Sequence, residues 1–297
     1  MKKALVSLAK ILIIILFLVT VAALAFYRGH TLVARTYSVS GHSSEKVKIV
    51  GLADLHGETV GENQEQIVQK VRDANPDLIL YLGDMIEKSR ADESVDPLVV
   101  LTKQLVQIAP VYYVDGNHEQ DVKRNDPSVY ARLSKALTDL GAVQLKDEIV
   151  SFAAKSGASV NLCGITRHYY WGEEEQALMR ELKKMDGVNV LACHYPESVI
   201  WYDAFDGGGL DVALCGHTHG GLIRVPFLGG MSAPEQSRWP KYDLGAFPVY
   251  MDTTWNEYGG GEGAEYLGTM IISGGLAGEH GVPRVNNPME VSVVEVE

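Results

Sequence analysis

The sequence predicts an α/β domain built from βαβ units, carried behind a single apolar helix at the N-terminus. Three observations predict it. Strand-like apolar runs alternate with amphipathic stretches through the first half of the domain, short strands crowd the second half, and residues 11–26 are apolar apart from Thr20.

The chain has 297 residues. A membrane-spanning helix needs about 20 apolar residues, within a range of roughly 17 to 25. Residues 4–27 meet that length if Lys10 extends its ammonium back towards the headgroups, and residues 1–3 form a short tail. Lys2, Lys3 and the small-residue stretch Ala23-Leu24-Ala25 also fit a cleaved signal peptide. The apolar run, however, exceeds the usual core of about 7–15 residues in such peptides. An uncleaved, single-pass anchor in the cell membrane is therefore the expectation. The alternative is cleavage, leaving a secreted or wall-associated chain. Lys2, Lys3 and Lys10 on one side, against Arg28 and Arg35 on the other, favour an inside N-terminus and an extracytoplasmic domain. No twin-arginine pair marks an export route.

Residues 28–44 are polar, with Ser38, Ser40, Gly41, Ser43 and Ser44, and read as a linker or an edge strand before a domain over residues 45–297. Residues 47–53 alternate as a strand and end at Asp54. Residues 60–74 carry Ile67, Val68 and Val71 at helical spacing, and Asn75-Pro76 stops the helix. Residues 78–82 are continuously apolar, as in a strand buried on both faces, and close at Gly83-Asp84. A helix over 97–108 and a strand over 111–114 follow, the latter ending at Asp115-Gly116-Asn117-His118. Asp54 and Asp84 lie 30 residues apart, and Asp84 and Asn117 lie 33 apart. Each interval suits one strand–helix–strand unit of about thirty residues. Two such units in succession make a parallel sheet with right-handed crossovers, and sites in such sheets lie beyond the carboxyl ends of the strands.

The second half reads as a helix over 130–140, strands over 142–145, 149–153 and 159–163, and a charged helix over 173–185. Strands over 188–193, 210–215, 247–251, 266–272 and 290–296 complete it, with a glycine-rich loop tip at residues 259–263. No internal repeat interrupts this order.

Residues 1–35 hold five basic and no acidic side chains, so of 26 basic and 38 acidic residues the remainder keeps 21 and 38, a net charge of −17. So acidic a domain is a poor binder of nucleic-acid backbones, and its charge reads as a solvated surface. Cys163, Cys193 and Cys215 each lie in or end an apolar run and read as small buried hydrophobes. None has the paired spacing of a structural zinc site.

Five clusters of metal-ligating side chains fall along this framework: Asp54-Leu55-His56, Gly83-Asp84, Gly116-Asn117-His118-Glu119, Cys193-His194 and Gly216-His217-Thr218-His219. Singly, each has a plain reading as a turn or a loop histidine. Jointly, at βαβ spacing, they assemble oxygen and nitrogen ligands at successive strand ends. Neutral imidazoles ligate divalent metals without adding charge, and a carboxylate between two cations offsets their repulsion. Two cations about 3.5–4 Å apart suit phosphate-ester hydrolysis.

The order of these clusters resembles the calcineurin-like metallophosphoesterase family over residues 47–296, and within it the membrane-tethered bacterial branch. Gly216 to Gly221 followed by Ile223-Arg224-Val225-Pro226, and the end from Gly274-Gly275-Leu276 through Arg284 to Pro288-Met289-Glu290, carry the similarity to that branch. The resemblance implies a two-sheet sandwich flanked by helices. It implies a first metal held by Asp54, His56, Asp84 and His219, and a second held by Asp84, Asn117, His194 and His217, with Asp84 bridging. The metals would be manganese, iron or zinc, which the donor set does not separate. His118 would stand outside the metal shell and protonate the leaving group or stabilise developing charge; Asp84 and Asn117 would share the catalytic centre with it. The implied activity is hydrolysis of a phosphodiester or pyrophosphate bond by a metal-bridging hydroxide; the membrane tether motivates the further expectation of a lipid-linked or envelope substrate. A non-catalytic metal-binding scaffold of the same fold is the rival, and a mononuclear zinc protein using Cys215, His217 and His219 is a third reading.

Two departures from the family pattern stand out. Met85-Ile86-Glu87-Lys88 follows Asp84 where many relatives have Asp-Arg, which argues against a protein phosphatase with its bidentate arginine clamp. Leu222 follows Gly221 where close relatives have glutamine. Arg167 and His168 read as surface loop, with a substrate-phosphate contact as the alternative. His280 lies in, and Arg284 beside, the glycine-rich segment 278–283, which is read as a candidate site rim. Asp115 reads as a strand-end turn residue. Trp201, Trp239, Tyr242, Tyr250, Trp255 and Tyr258 read as packing in core and loops rather than a lipid-facing belt.

Overall fold

Strands buried on both faces account for the unbroken apolar runs, because two sheets stack on each other and each is covered outside by helices. The computed structural model describes residues 2–42, 46–166, 170–251, 264–278 and 281–297. Arg167, His168, Trp255, Tyr258, the loop tip at 259–263 and His280 lie outside the described residues.

In chain order the elements are α1 (Lys2–Gly29), β1 (Leu32–Val39), β2 (Val47–Leu52), α2 (Glu65–Ala74), β3 (Leu78–Tyr81), α3 (Ala91–Leu105), β4 (Val111–Tyr113), α4 (Asn117–Asn125), α5 (Pro127–Asp139) and β5 (Val143–Gln144). They continue with β6 (Glu148–Ala153), β7 (Ser159–Ile165), α6 (Glu173–Leu182), β8 (Val188–Cys193), α7 (Pro196–Trp201) and β9 (Val212–Cys215). The last five strands are β10 (Arg224–Val225), β11 (Gly229–Gly230), β12 (Gly245–Met251), β13 (Glu265–Ile272) and β14 (Met289–Val296).

One six-stranded sheet has the order β1-β14-β2-β3-β4-β5, the other β12-β13-β9-β8-β7-β6, and β10 and β11 form a small hairpin. β2, β3, β4 and β5 run parallel, as do β7, β8, β9 and β13. Alternate side chains divide the core into three layers. Val47, Ile49, Leu78 and Leu80 meet Val160, Leu162, Val188, Val190, Val212 and Leu214 between the sheets. On the outer face of the first sheet, Val50, Ile79 and Tyr81 pack under Ile67, Val71, Leu98, Leu101 and Leu133 of the helices. On the outer face of the second, Cys163, Leu191, Cys193 and Cys215 pack under Met179, Leu182 and Val199. All three cysteines are thus buried hydrophobes, and burial pushes their thiols up, that of Cys193 to about 12.

The edge-strand reading of residues 28–44 holds over Leu32–Val39, and other elements, α7 among them, depart from the pattern read in the sequence. Within residues 28–44, β1 pairs in parallel with β14 from Leu32↔Met289 to Val39↔Val296, so the sheet begins at Leu32 rather than after residue 44. The buried Glu290 carboxylate fastens that edge by accepting from Arg35 Nε and Tyr37 OH, each at 2.8 Å. α3 starts six residues before Pro97, with Asp92 and Glu93 favourably placed in its first turn. α4 has no counterpart in the apolar pattern, because His-Glu-Gln-Asp-Val-Lys-Arg-Asn offers only Val122 for a helical stripe.

The segment Lys10–Gly29 is long and apolar enough to cross a membrane, a test that a signal sequence also passes. Its large side chains from Ile11 to Tyr27 are exposed. Trp201, Trp239 and Tyr250 are partly exposed, so none belongs to the core, but Trp201 stacks on Tyr170 and Tyr250 lies edge-on to Tyr266.

Candidate metal centre

Every candidate ligand sits immediately beyond a parallel strand. Asp54 and His56 follow β2, Asp84 follows β3, Asn117 and His118 open α4 after β4, His194 follows β8, and His217 and His219 follow β9. Both sheets end at the same edge, so five segments converge. The crossing is tight enough to force left-handed backbone at Asp54, His56, Asp84, His217 and His219, with φ from 49° to 74°. Such conformations cost about 1–3 kcal/mol each and persist where surrounding structure over-determines them. Here neighbouring loops supply the restraint: Asp54 N donates to Gly83 O at 3.1 Å and His56 N to Asp84 O at 3.0 Å. The glycines are steric necessities. A Cβ on Gly116 would collide with Asp84 Oδ1, and one on Gly83 would lie 2.7 Å from His194 Nδ1.

Among the described residues, ligand-capable atoms gather into three overlapping sets: Asp54, His56 and His219; His56, Asp84 and His118; and Asp84, His194 and His217, the atoms of each set within 4.8 Å of one another. Backbone partners fix the rings. His194 Nδ1 lies 2.6 Å from Leu82 O and His219 Nδ1 lies 3.1 Å from Ala277 O. Donation to those carbonyls leaves each Nε2 lone pair facing inward, the usual way an outer partner sets the tautomer of a ligating histidine. His56 Nδ1 is 3.2 Å from Glu87 Oε2, and His56 Nε2 is 3.3 Å from His219 Nε2.

Several inward atoms are buried without a hydrogen-bond partner: Asp54 Oδ2, Asn117 Oδ1 and His194 Nε2. Buried polar atoms are rarely left so, and all three belong to the expected ligand set. The remaining carboxylate oxygens are engaged: Asp54 Oδ1 accepts from His217 N at 3.1 Å and Asp84 Oδ1 from His118 N at 2.8 Å. A set of carboxylate, amide and imidazole donors fits hard or borderline divalent cations.

The electrostatics are those of groups pressed together out of water. Burial pushes the Asp54 carboxyl up to about 6, against the pull of His194. Burial opposes charge on both Asp84 and His194, but their attraction across 3.2 Å outweighs it. The Asp84 carboxyl is held low and the His194 imidazole is raised to about 9. Burial, reinforced by neighbouring His56, takes His118 down to about 4.

Glu119, inside the third cluster, and Glu87, beside the second, have parts that the sequence did not disclose. Glu119, fully desolvated, accepts from the backbone N–H groups of Asp84, Met85, Ile86 and Gly116 at 2.8 to 3.1 Å. It clamps the loops that carry Asp84 and Asn117 together and joins none of the ligand sets among the described residues. Glu87, in the stretch that departs from the Asp-Arg pattern, reaches His56 and also lies 3.4 Å from His118 Nδ1. That nitrogen accepts from Lys88 N at 3.2 Å, which places the proton on Nε2, 3.9 Å from Asp84 Oδ2.

Other expectations resolve differently. Arg284 forms no site rim: its buried guanidinium donates to the carbonyls of Asn287, Ala277, Gly274 and Pro288 at 2.7 to 2.9 Å. Burial behind those four acceptors keeps it from any substrate. Cys215 lies in the outer apolar layer and joins none of the ligand sets among the described residues, so it does not complete a zinc site with His217 and His219. Asp115 ties strand to helix by accepting from Tyr130 OH at 2.6 Å and Gln144 Nε2 at 2.9 Å. Leu222 serves the backbone: its carbonyl accepts from Val285 N and Asn287 Nδ2.

The sequence profile of the family described as calcineurin-like phosphoesterase matches residues 47–221, more than half of the chain. The chain belongs to that family. It is a metallophosphoesterase, a metal-dependent hydrolase of phosphoric esters. Similar proteins include YpbG of Bacillus subtilis strain 168, 26% identical over 230 residues, which are 75% of this chain and 81% of that protein. The metallophosphoesterase YkoQ of the same organism is 27% identical over 182 residues, 61% of this chain and 64% of its own length. Among solved structures, TT1561 of Thermus thermophilus is similar at a TM-score of 0.42 with 12% identity, over 78% of this chain and 90% of that one, and adds nothing to the family assignment.

Proposed function

We propose that this metallophosphoesterase hydrolyses a phosphodiester or pyrophosphate bond with two divalent cations held side by side. Asp54, His56, Asp84 and His219 would hold one; Asp84, Asn117, His194 and His217 the other. The observation that carries the reading is the position of Asp84. Its carboxylate belongs both to a set with His56 and His118 and to a set with His194 and His217, and Asp54 Oδ2 and Asn117 Oδ1 are buried without a hydrogen-bond partner. Two cations bound there would activate water and stabilise the attacking and leaving oxygens together.

The chain's own groups do the rest. Asp84 and Asp54 balance the positive charge, and the carbonyls of Leu82 and Ala277 keep His194 and His219 turned inward. His118 presents its Nε2–H to the substrate, where it donates to the leaving oxygen. The apolar length of α1 supports a membrane anchor; in this reading the basic excess before it puts the domain outside the cytoplasm, and the tether directs it to a lipid-linked or envelope phosphate.

The test is a panel of mono-, di- and pyrophosphate esters offered to the purified chain with manganese, zinc or EDTA. Diester or pyrophosphate turnover that needs metal, with two ions per chain, is expected. Asp84→Ala should reduce turnover to background; full metal-dependent turnover in that variant would overturn the assignment. Free hydrolysis of soluble diesters with every phospholipid and lipid pyrophosphate left intact would remove the lipid-linked substrate alone.

A further inference from the structure

The β10–β11 hairpin ends in Pro226-Phe227-Leu228, three exposed apolar residues standing clear of the domain. Phe227 is wholly exposed and Leu228 is 60% exposed. Met231 and Trp239 extend the patch, joined by Trp239 N donating to Met231 O at 3.3 Å. Exposed aliphatic and aromatic side chains grouped at a hairpin tip mark an interaction surface.

The direction of that tip follows from hydrogen bonds. The last turns of α1 rest on residues 284–286: Gly29 is packed against Arg284 O, and Ala25 O accepts from Asn286 N at 2.6 Å. Going from Arg284 to Asn286 therefore runs back along α1, away from the domain. β10 runs parallel to that stretch, paired at Ile223↔Val285, with Arg224 N donating to Val285 O and Asn286 Nδ2 donating to Arg224 O. Arg224 is fixed in turn by Asp243, whose Oδ2 accepts from Arg224 Nη1 at 2.8 Å and from Gly230 N at 2.6 Å. The hairpin is braced, and it points along α1 towards the helix's N-terminal end.

From Arg224 to Phe227 the chain advances roughly 7–10 Å. On the helix that rise corresponds to about five to seven residues counted back from Ala25. Phe227 comes level with the region of Leu18 to Thr20, inside the exposed apolar stretch, while Tyr27 and Arg28 stand at the domain end, where interfacial residues belong.

We propose that Phe227 and Leu228 enter the bilayer beside α1, as a second membrane contact that fixes the tilt of the domain, with Trp239 at the headgroup level. The partner is the lipid bilayer itself. Because Arg224 follows His219 by only five residues, and Asn287 Nδ2 donates to both His219 O and Leu222 O, this seat holds the ligand cluster at the membrane boundary. The proposal rests on the anchor reading of α1 and narrows the substrate to phosphates presented near the headgroup plane.

The test labels the full chain, reconstituted in vesicles of phosphatidylethanolamine and phosphatidylglycerol, with an environment-sensitive fluorophore at Phe227→Cys. Leu228→Cys is the second tip position, Val19→Cys the helix reference and Lys135→Cys the reference on a solvent-facing helix. The unsubstituted chain, with its buried cysteines, is the blank. A nitroxide on the lipid acyl chain should quench the labels at 227, 228 and 19 at least two-fold and leave 135 unchanged. Quenching at 19 with none at 227 and 228 would overturn the membrane contact while the anchor stands. No quenching at 19 would overturn the anchor reading, and the tip contact with it.

Discussion

Glu119 shows how a residue with no ligand role governs the centre. Its two oxygens satisfy four buried backbone N–H groups on the segments that carry Asp84 and Asn117. Leaving a buried donor without an acceptor costs about 1–3 kcal/mol. Glu119→Ala should lower stability by at least ~3 kcal/mol in urea unfolding and weaken metal binding, although no metal ligand is lost. His118 makes the contrasting prediction. It stands beside the candidate metal ligands, held by Lys88 N and Glu87. His118→Asn should keep the metal content measured by elemental analysis while lowering kcat by about 10²–10⁴-fold, the usual worth of a positioned proton donor. Loss of metal in that variant would make His118 a ligand. The ligand types themselves were legible from the sequence, since Asp, Asn and His carry their donor chemistry wherever they lie. Glu87 and Glu119 were not, because their partners are backbone and ring nitrogens 30 or more residues away in several cases. The run of polar residues Gly116 to Glu119 offered one signal: a glutamate three residues after the start of a helix often accepts from the N-cap amide.

At the level of elements, β1 is the instructive case. A polar, serine-containing stretch offers no pattern that separates a linker from an edge strand, and the choice is made by β14, more than 250 residues later. A chain beginning at Ser44 would leave the other side of β14 without a partner and the buried Glu290 carboxylate without Arg35 and Tyr37. Such an unpaired edge invites association with other chains. A chain beginning at Thr31 should be monomeric and unfold cooperatively, whereas one beginning at Ser44 should be several kcal/mol less stable, each lost charged hydrogen bond being worth about 1.5–3 kcal/mol; size-exclusion chromatography and thermal unfolding separate the two. α4 gives the opposite lesson. Its sequence has almost no apolar face, and it forms because β4 delivers Gly116 and Asn117 to the sheet edge, where Glu119 turns back to bond Gly116 N at 2.9 Å.

In the whole molecule, two sheets ending at one edge bring Asp54, Asp84 and Asn117 from one half of the chain against His194, His217 and His219 from the other. At that junction the Asp54 and Asp84 carboxylates repel each other and burial strips them of water, and bound cations would offset both. Ligands bound only by the folded state stabilise it by about 4 kcal/mol at a thousand times Kd. Manganese or zinc should therefore raise the midpoint of thermal unfolding by about 10 °C over the EDTA-treated chain, given roughly 2–4 °C per kcal/mol at this size. Asp84→Ala should abolish most of that rise.

The sequence by itself determined the βαβ rhythm, the apolar N-terminal segment and the identities of the seven candidate ligands, because strand periodicity and donor chemistry are local properties. The tertiary structure alone decided that residues 32–39 belong to the sheet and that Arg284 is spent on four carbonyls. It also decided that Cys215 faces away from the histidines and that the Phe227 tip lies along α1. Each of these depends on which backbone groups meet across long stretches of chain, and packing and buried hydrogen bonding settle that only when the two sheets close.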